Sequence, residues 1–152
     1  MKKLFSLALL LCTSHVAPAL AETPALIPSF QVEITLTDKA LEKLKATSDM
    51  LEVDAYFLGD PLAGDKTPVN DNGQIELAED SKSISQAGTV KFGDIEYDGS
   101  LLDHLIDHEP HLLINVNSTK FDENTLDCDI FEDKVSVAVA SPPKLNCKLI
   151  GE

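Results

Sequence analysis

Two-residue alternation of apolar side chains constrains this chain more than any other feature. Phe30, Val32, Ile34 and Leu36 alternate with Gln31, Glu33 and Thr35, and Leu51, Val53, Ala55 and Phe57 alternate with Glu52, Asp54 and Tyr56. Successive side chains on a strand point to opposite faces, so each run has one face for a core and one for water. Leu112, Ile114 and Val116 make a third apolar face, and Val135, Val137 and Val139 read as a fourth. Weaker strands are expected over 74–77, 89–92, 126–131 and 145–150. About eight short strands separated by turn residues predict a mainly β fold: an antiparallel two-sheet sandwich, or a partly open barrel, with one or two short helices.

The first helix is expected directly after the first strand. Thr37 suits the N-cap, Asp38 the positive end of a helix dipole, and Lys43 and Lys45 its negative end. Ala40, Leu41 and Leu44 share a face that can cover an open end of the sandwich. The stretch from Gly59 to Gly73 is rich in helix and strand breakers and reads as a long polar loop closed by the turn Asn70-Asp71-Asn72-Gly73. Residues 94–99 imitate the opening of a calcium loop, with Asp94, Glu96 and Asp98 followed by Gly99. Position 12 of that loop falls on Leu105 where a bidentate carboxylate is required, so an edge strand with Ile95 and Tyr97 inward is the preferred reading. Asn117-Ser118-Thr119 matches a glycosylation sequon.

The first residues carry the pattern of an export signal. Lys2-Lys3 precede the apolar run Leu4 to Leu11, and Ala19 and Ala21 satisfy the small-residue rule for cleavage. Residues 1–21 are therefore expected to be a signal peptide and 22–152 a single secreted, β-rich domain, periplasmic or released. Leu11 before Cys12 is bulky where lipid-modification signals require a small residue. No window is long enough to form a transmembrane helix. Export leaves Cys128 and Cys147, which should pair in an oxidising compartment. A plain meander would separate their strands by one intervening strand, too far for a disulfide, so the last strand is expected to cross over near Pro142-Pro143.

Charge narrows the partners. Twelve basic residues against 26 acidic ones give a net charge of −14, and none of the basic residues is arginine. Such a surface repels nucleic acid and anionic lipid and attracts cationic proteins or divalent metal ions. With 43% apolar residues the chain can still bury a core.

The chemistry-bearing candidate is Asp103-His104-Leu105-Ile106-Asp107-His108-Glu109-Pro110-His111. Leu101, Leu102, Leu105 and Ile106 recur as on a helix, with Ser100 and Asp103 in the positions of a capping box and Pro110 as a stop. On two such turns His104 and His108 would share a polar face with Asp103 and Asp107 beside them, a spacing able to hold Zn²⁺ or Cu²⁺, and His111 could add a third ligand. No nucleophile elbow or protease zinc pattern is found, so catalysis is not expected. The leading expectation is a small acidic periplasmic module that docks a basic periplasmic or extracellular protein, in the manner of an inhibitor or immunity protein. Its docking surface would be the loop 59–73 and the acidic run Asp122, Glu123, Asp127 and Asp129. The alternative is a periplasmic divalent-metal-binding protein using His104, His108, His111, Asp103 and Asp107, with Zn²⁺ or Cu²⁺ as the one cofactor class the chain admits.

Overall fold

The computed structural model describes residues 24–119 and 123–152. The expected signal peptide, with Cys12 and His15, lies outside the described residues, as does Asp122. In chain order the first elements are β1 (Pro24–Ile27), β2 (Phe30–Leu36), α1 (Asp38–Thr47), β3 (Leu51–Gly59), β4 (Ile75–Ile84), β5 (Gly88–Phe92) and β6 (Ile95–Asp98). A 3₁₀ turn (Gly99–His104) follows, then β7 (His111–Ser118), β8 (Leu126–Cys128), β9 (Phe131–Lys134), α2 (Val135–Ala140) and β10 (Lys144–Leu149). The protein is mainly β, with its strands arranged as a sandwich and no closed barrel.

Two four-stranded sheets, ordered β5-β2-β10-β8 and β4-β3-β7-β9, face one another, and β1 pairs with β6 in a separate ribbon. The predicted alternations supply the inner faces. Val32 and Ile34 of β2, Val53, Ala55 and Phe57 of β3, and Leu112, Ile114 and Val116 of β7 belong to one continuous buried cluster. Phe30 joins the layers, stacking on Phe92 of its own sheet at 5.4 Å and meeting Phe57 of the opposite sheet edge-on at 6.2 Å. Each such buried ring contributes roughly 1.5–3 kcal/mol of hydrophobic free energy. α1 forms where its cap residues predicted. Thr37 Oγ1 accepts the Ala40 N–H, and the helix stops at Ser48, which turns into the left-handed conformation.

Three expectations are corrected. Val135, Val137 and Val139 do not form a strand: residues 135–140 make the helix α2, with Val135 and Ala138 buried while Val137 and Val139 remain 39% and 45% exposed. Ala138 and Ala140 make the segment nearly apolar throughout, so period two and period three fit it equally, and packing selects the i, i+3 pair. Residues 126–131 are not one strand. β8 and β9 belong to different sheets, and Ile130, between them, is 64% exposed. The sandwich is also not wholly antiparallel, because β10 runs parallel to β2.

That parallel pair is the crossover expected from the cysteines. The chain passes through α2 and Pro142-Pro143, the Glu33 N–H donates to the Pro143 carbonyl at 2.8 Å, and β10 enters between β2 and β8. Cys128 and Cys147 then stand directly opposite one another on antiparallel strands and form a disulfide, with Cα atoms 4.0 Å apart. β1 was not foreseen. Among the described residues no helix is long and apolar enough to cross a membrane.

Candidate functional site

The histidine segment does not form the two helical turns that its periodicity predicted. Asp98, not Ser100, is its cap: the Asp98 carboxylate accepts the Ser100 N–H at 3.0 Å and the Ser100 hydroxyl at 2.7 Å. The 3₁₀ turn ends at His104, and Leu105 is extended, buried and bridged to Pro61 of the long loop. His108 adopts a left-handed conformation at φ 51°. Residues three or four apart stack only on a continuous helix, so the intended face dissolves. Leu105 is the cause, since its side chain is drawn into the cleft over Gly59, where no side chain blocks its approach.

Each histidine consequently has its own partner. His104 Nδ1 donates to Asp65 Oδ2 at 2.8 Å, His108 Nδ1 to the Leu102 carbonyl at 3.0 Å, and His111 Nε2 to Asp107 Oδ2 at 3.0 Å. Asp103 is exposed. Among the described residues no group of three or more histidine, cysteine or acidic side chains is arranged to hold a metal ion. These contacts are fastenings. Asp65 accepts the Thr67 N–H as well as His104, and these bonds hold its carboxyl well below the usual carboxylate range. Hydrogen bonds from His111 and Lys134 likewise lower Asp107.

Several residues of the loop and acidic run expected to dock a partner are bound by their own chain. Asp60 accepts from Gln74 Nε2 at 3.2 Å, and Asn70 Oδ1 caps the turn by accepting the N–H groups of Asn72 and Gln74. In the run, Asp127 pairs with Lys148 at 3.3 Å, and Asp129 Oδ2 accepts the Asn146 side-chain amide at 2.7 Å. Asn146 holds the Asp129 carboxyl below its ordinary value.

A different acidic surface emerges from strand pairing. On the outward face of β4-β3-β7-β9, Glu52 lies opposite Ser83 and Asn117, Asp54 opposite Ser81 and Asn115, and Tyr56 opposite Glu79 and Leu113. Glu132 of β9 extends the row beside Leu113. No two of these carboxylates are directly opposed: Glu79 is the diagonal neighbour of Asp54, a relation that sets side chains about 7–8 Å apart, and Glu132 lies two strands away from β3. Partial burial raises the Tyr56 phenol above its ordinary value, and the fields of Asp54, Glu79 and Glu52 add to the shift.

Among the described residues none of Glu52, Asp54, Glu79 and Glu132 takes part in an ion pair, although Lys39, Lys82, Lys134, Lys144 and Lys148 all do; Asp54 accepts only neutral hydrogen bonds, from the Ser81 hydroxyl at 2.5 Å and the Asn117 side-chain amide at 3.5 Å. The outward face of the other sheet is mixed, with Lys91, Lys144 and Lys148 interspersed among Glu33 and Asp127. The alternation of Glu52, Asp54 and Tyr56 was legible in the sequence. What it lacked was the identity of the neighbouring strands. Comparison with known protein families, with curated proteins and with solved structures returns no match, so the residues themselves must carry the functional assignment.

Proposed function

We propose that the chain is an acidic binding module that docks a cationic protein through the outward face of β4-β3-β7-β9. One observation carries this reading: Glu52, Asp54, Glu79 and Glu132 share that face and none of them is in an ion pair among the described residues, while Lys134, on the same face of β9, is engaged by Asp107 and Glu109. Unneutralised like charges destabilise a surface slightly, and a positively charged partner relieves that repulsion while being steered to the face. The half-buried Tyr56 and Leu113 add the amphipathic contact area that protein interfaces favour. The disulfide suits an oxidising compartment, and with the export signal read at 1–21 we assign the module to the periplasm or the exterior, where an inhibitor or immunity-like role fits its size and charge.

The test is capture of basic proteins from a periplasmic extract by the immobilised oxidised protein, compared with two charge variants. One neutralises Glu52, Asp54, Glu79 and Glu132 as Gln or Asn; the control neutralises Glu33 and Asp127 on the opposite face. Capture at low salt that disappears at about 0.5 M salt, where the Debye length falls below about 5 Å, and is lost only in the first variant supports the reading. Equal capture by all three proteins, or none by any, refutes it.

A further inference from the structure

Resting on that docking reading, one position of the acidic face is more than a charged surface. β4 carries an extra residue opposite β3: Phe57 pairs with Ala78 and Leu58 with Glu76, so Leu77 is left as a bulge. Bulges bend a strand and re-aim its side chains. A groove of about 320 Å³ opens here, lined by Tyr56, Leu58, Glu76, Leu77, Ala78 and Glu79. Its chemistry is divided: Leu58, Leu77 and Ala78 are apolar, Tyr56 supplies an aromatic ring, and Glu76 and Glu79 are exposed carboxylates.

An apolar surface for a stem, an aromatic face and two anionic groups together match a cation carried on an aliphatic chain. Asn70 Nδ2 donates to Glu76 Oε1 at 3.3 Å, which orients one carboxylate and leaves its second oxygen for a ligand. Glu79, opposite Tyr56, is in no ion pair among the described residues. The chain's own nearby cation on β4 is directed elsewhere, since Lys82 pairs with Asp80 at 2.7 Å and lies 6.0 Å from the centre of the Phe92 ring. We propose that this groove receives a single arginine side chain of the partner, its guanidinium against Tyr56 and between Glu76 and Glu79. Arginine is preferred to lysine because a planar, weakly hydrated guanidinium both stacks on a ring and shares its donors between two carboxylates.

The probes are blocked glycine pentapeptides with arginine, lysine or citrulline at the centre, titrated into the ¹⁵N-labelled oxidised protein. The arginine peptide is expected to shift the amide signals of Tyr56, Leu58, Leu77 and Ala78 and to bind about two- to fivefold more tightly than the lysine peptide. Citrulline, nearly isosteric but neutral, should leave these signals in place. Tyr56→Phe should keep the arginine preference and Tyr56→Ser should remove it; Glu79→Gln should weaken binding with no change of fold. Equal binding of arginine and citrulline, shifts confined to other surfaces, or an arginine preference that survives both Tyr56→Ser and Glu79→Gln would overturn the assignment. Capture of a basic protein without any groove response to arginine overturns this inference alone. Equal capture by all three proteins in that assay, or capture by none of them, overturns the docking reading itself.

Discussion

Gly59→Ala is the most incisive single perturbation of the fold, because one methyl group is added where the long loop and the histidine segment meet. An ideal Cβ at Gly59 would lie 2.6 Å from Leu105 Cδ2 and 2.9 Å from Leu105 Cγ, well inside carbon–carbon contact. Leu105 is 1% exposed, so its isobutyl group has no solvent-filled space into which to turn. Overpacking of this kind costs about 1–3 kcal/mol. The strain should appear in the bridge between Pro61 and Leu105 and in its flanking bonds, where the Leu62 N–H donates to the His104 carbonyl and the Ile106 N–H to the Asp60 carbonyl. Urea unfolding followed by far-ultraviolet circular dichroism measures the loss. Leu105→Ala alone should cost about 2–5 kcal/mol through its cavity. In the double variant the new methyl occupies part of that cavity, so the two effects should fall short of their sum by about 1 kcal/mol or more. An unchanged midpoint for Gly59→Ala, or strict additivity in the double variant, would refute the close packing of Leu105 on Gly59.

Replacing Cys128 and Cys147 with serine should cost about 3 kcal/mol, the chain-entropy value for a loop of roughly 20 residues, and lower the melting temperature by on the order of 10 °C; a thiol count on denatured, unreduced protein should find no free thiol at either position. The carboxyls of Asp65 and Asp107 are held below their ordinary value in the folded protein, so the stability they contribute is complete above the unfolded pKa of about 4 and declines as pH falls through their folded values. Acid unfolding monitored between pH 6 and 2 should therefore show a shallower decline for Asp65→Asn, which binds no proton over that range, and an identical slope would exclude this source of acid sensitivity. The helical reading of 135–140 is tested by lysine substitution: Val137→Lys and Val139→Lys should each change stability by less than about 1 kcal/mol, whereas Ala138→Lys buries a charge and should cost more than about 3 kcal/mol. A strand with Val135, Val137 and Val139 inward would give the reverse order.

The sequence by itself determined the elements whose signals are local. Strict alternation over 30–36, 51–57 and 112–116 specifies which face of β2, β3 and β7 is buried, whatever those strands pair with, because pleating fixes the period at two. Thr37 and Asp38 mark the start of α1 for a similar reason, since a cap acts within one turn. The disulfide followed from the expected oxidising compartment and from there being only two cysteines beyond residues 1–21, the segment expected to be an export signal. Tertiary structure decided what depends on residues far apart in the chain. Two periods compete in the near-uniform apolar run at 135–140, and burial of Val135 with Ala138 resolves them in favour of α2. Leu105 left the histidine helix because Gly59, many residues away, leaves room for it. His104, His108 and His111 went to three separate acceptors as a result. The acidic face was written in the outward positions of β3, but only non-local pairing placed Glu79 on one side of Tyr56 and put Leu113, with Glu132 beyond it, on the other. A single strand encodes which of its side chains face outward; hydrogen bonding to a partner remote in sequence sets their neighbours, and a binding surface is made of neighbours.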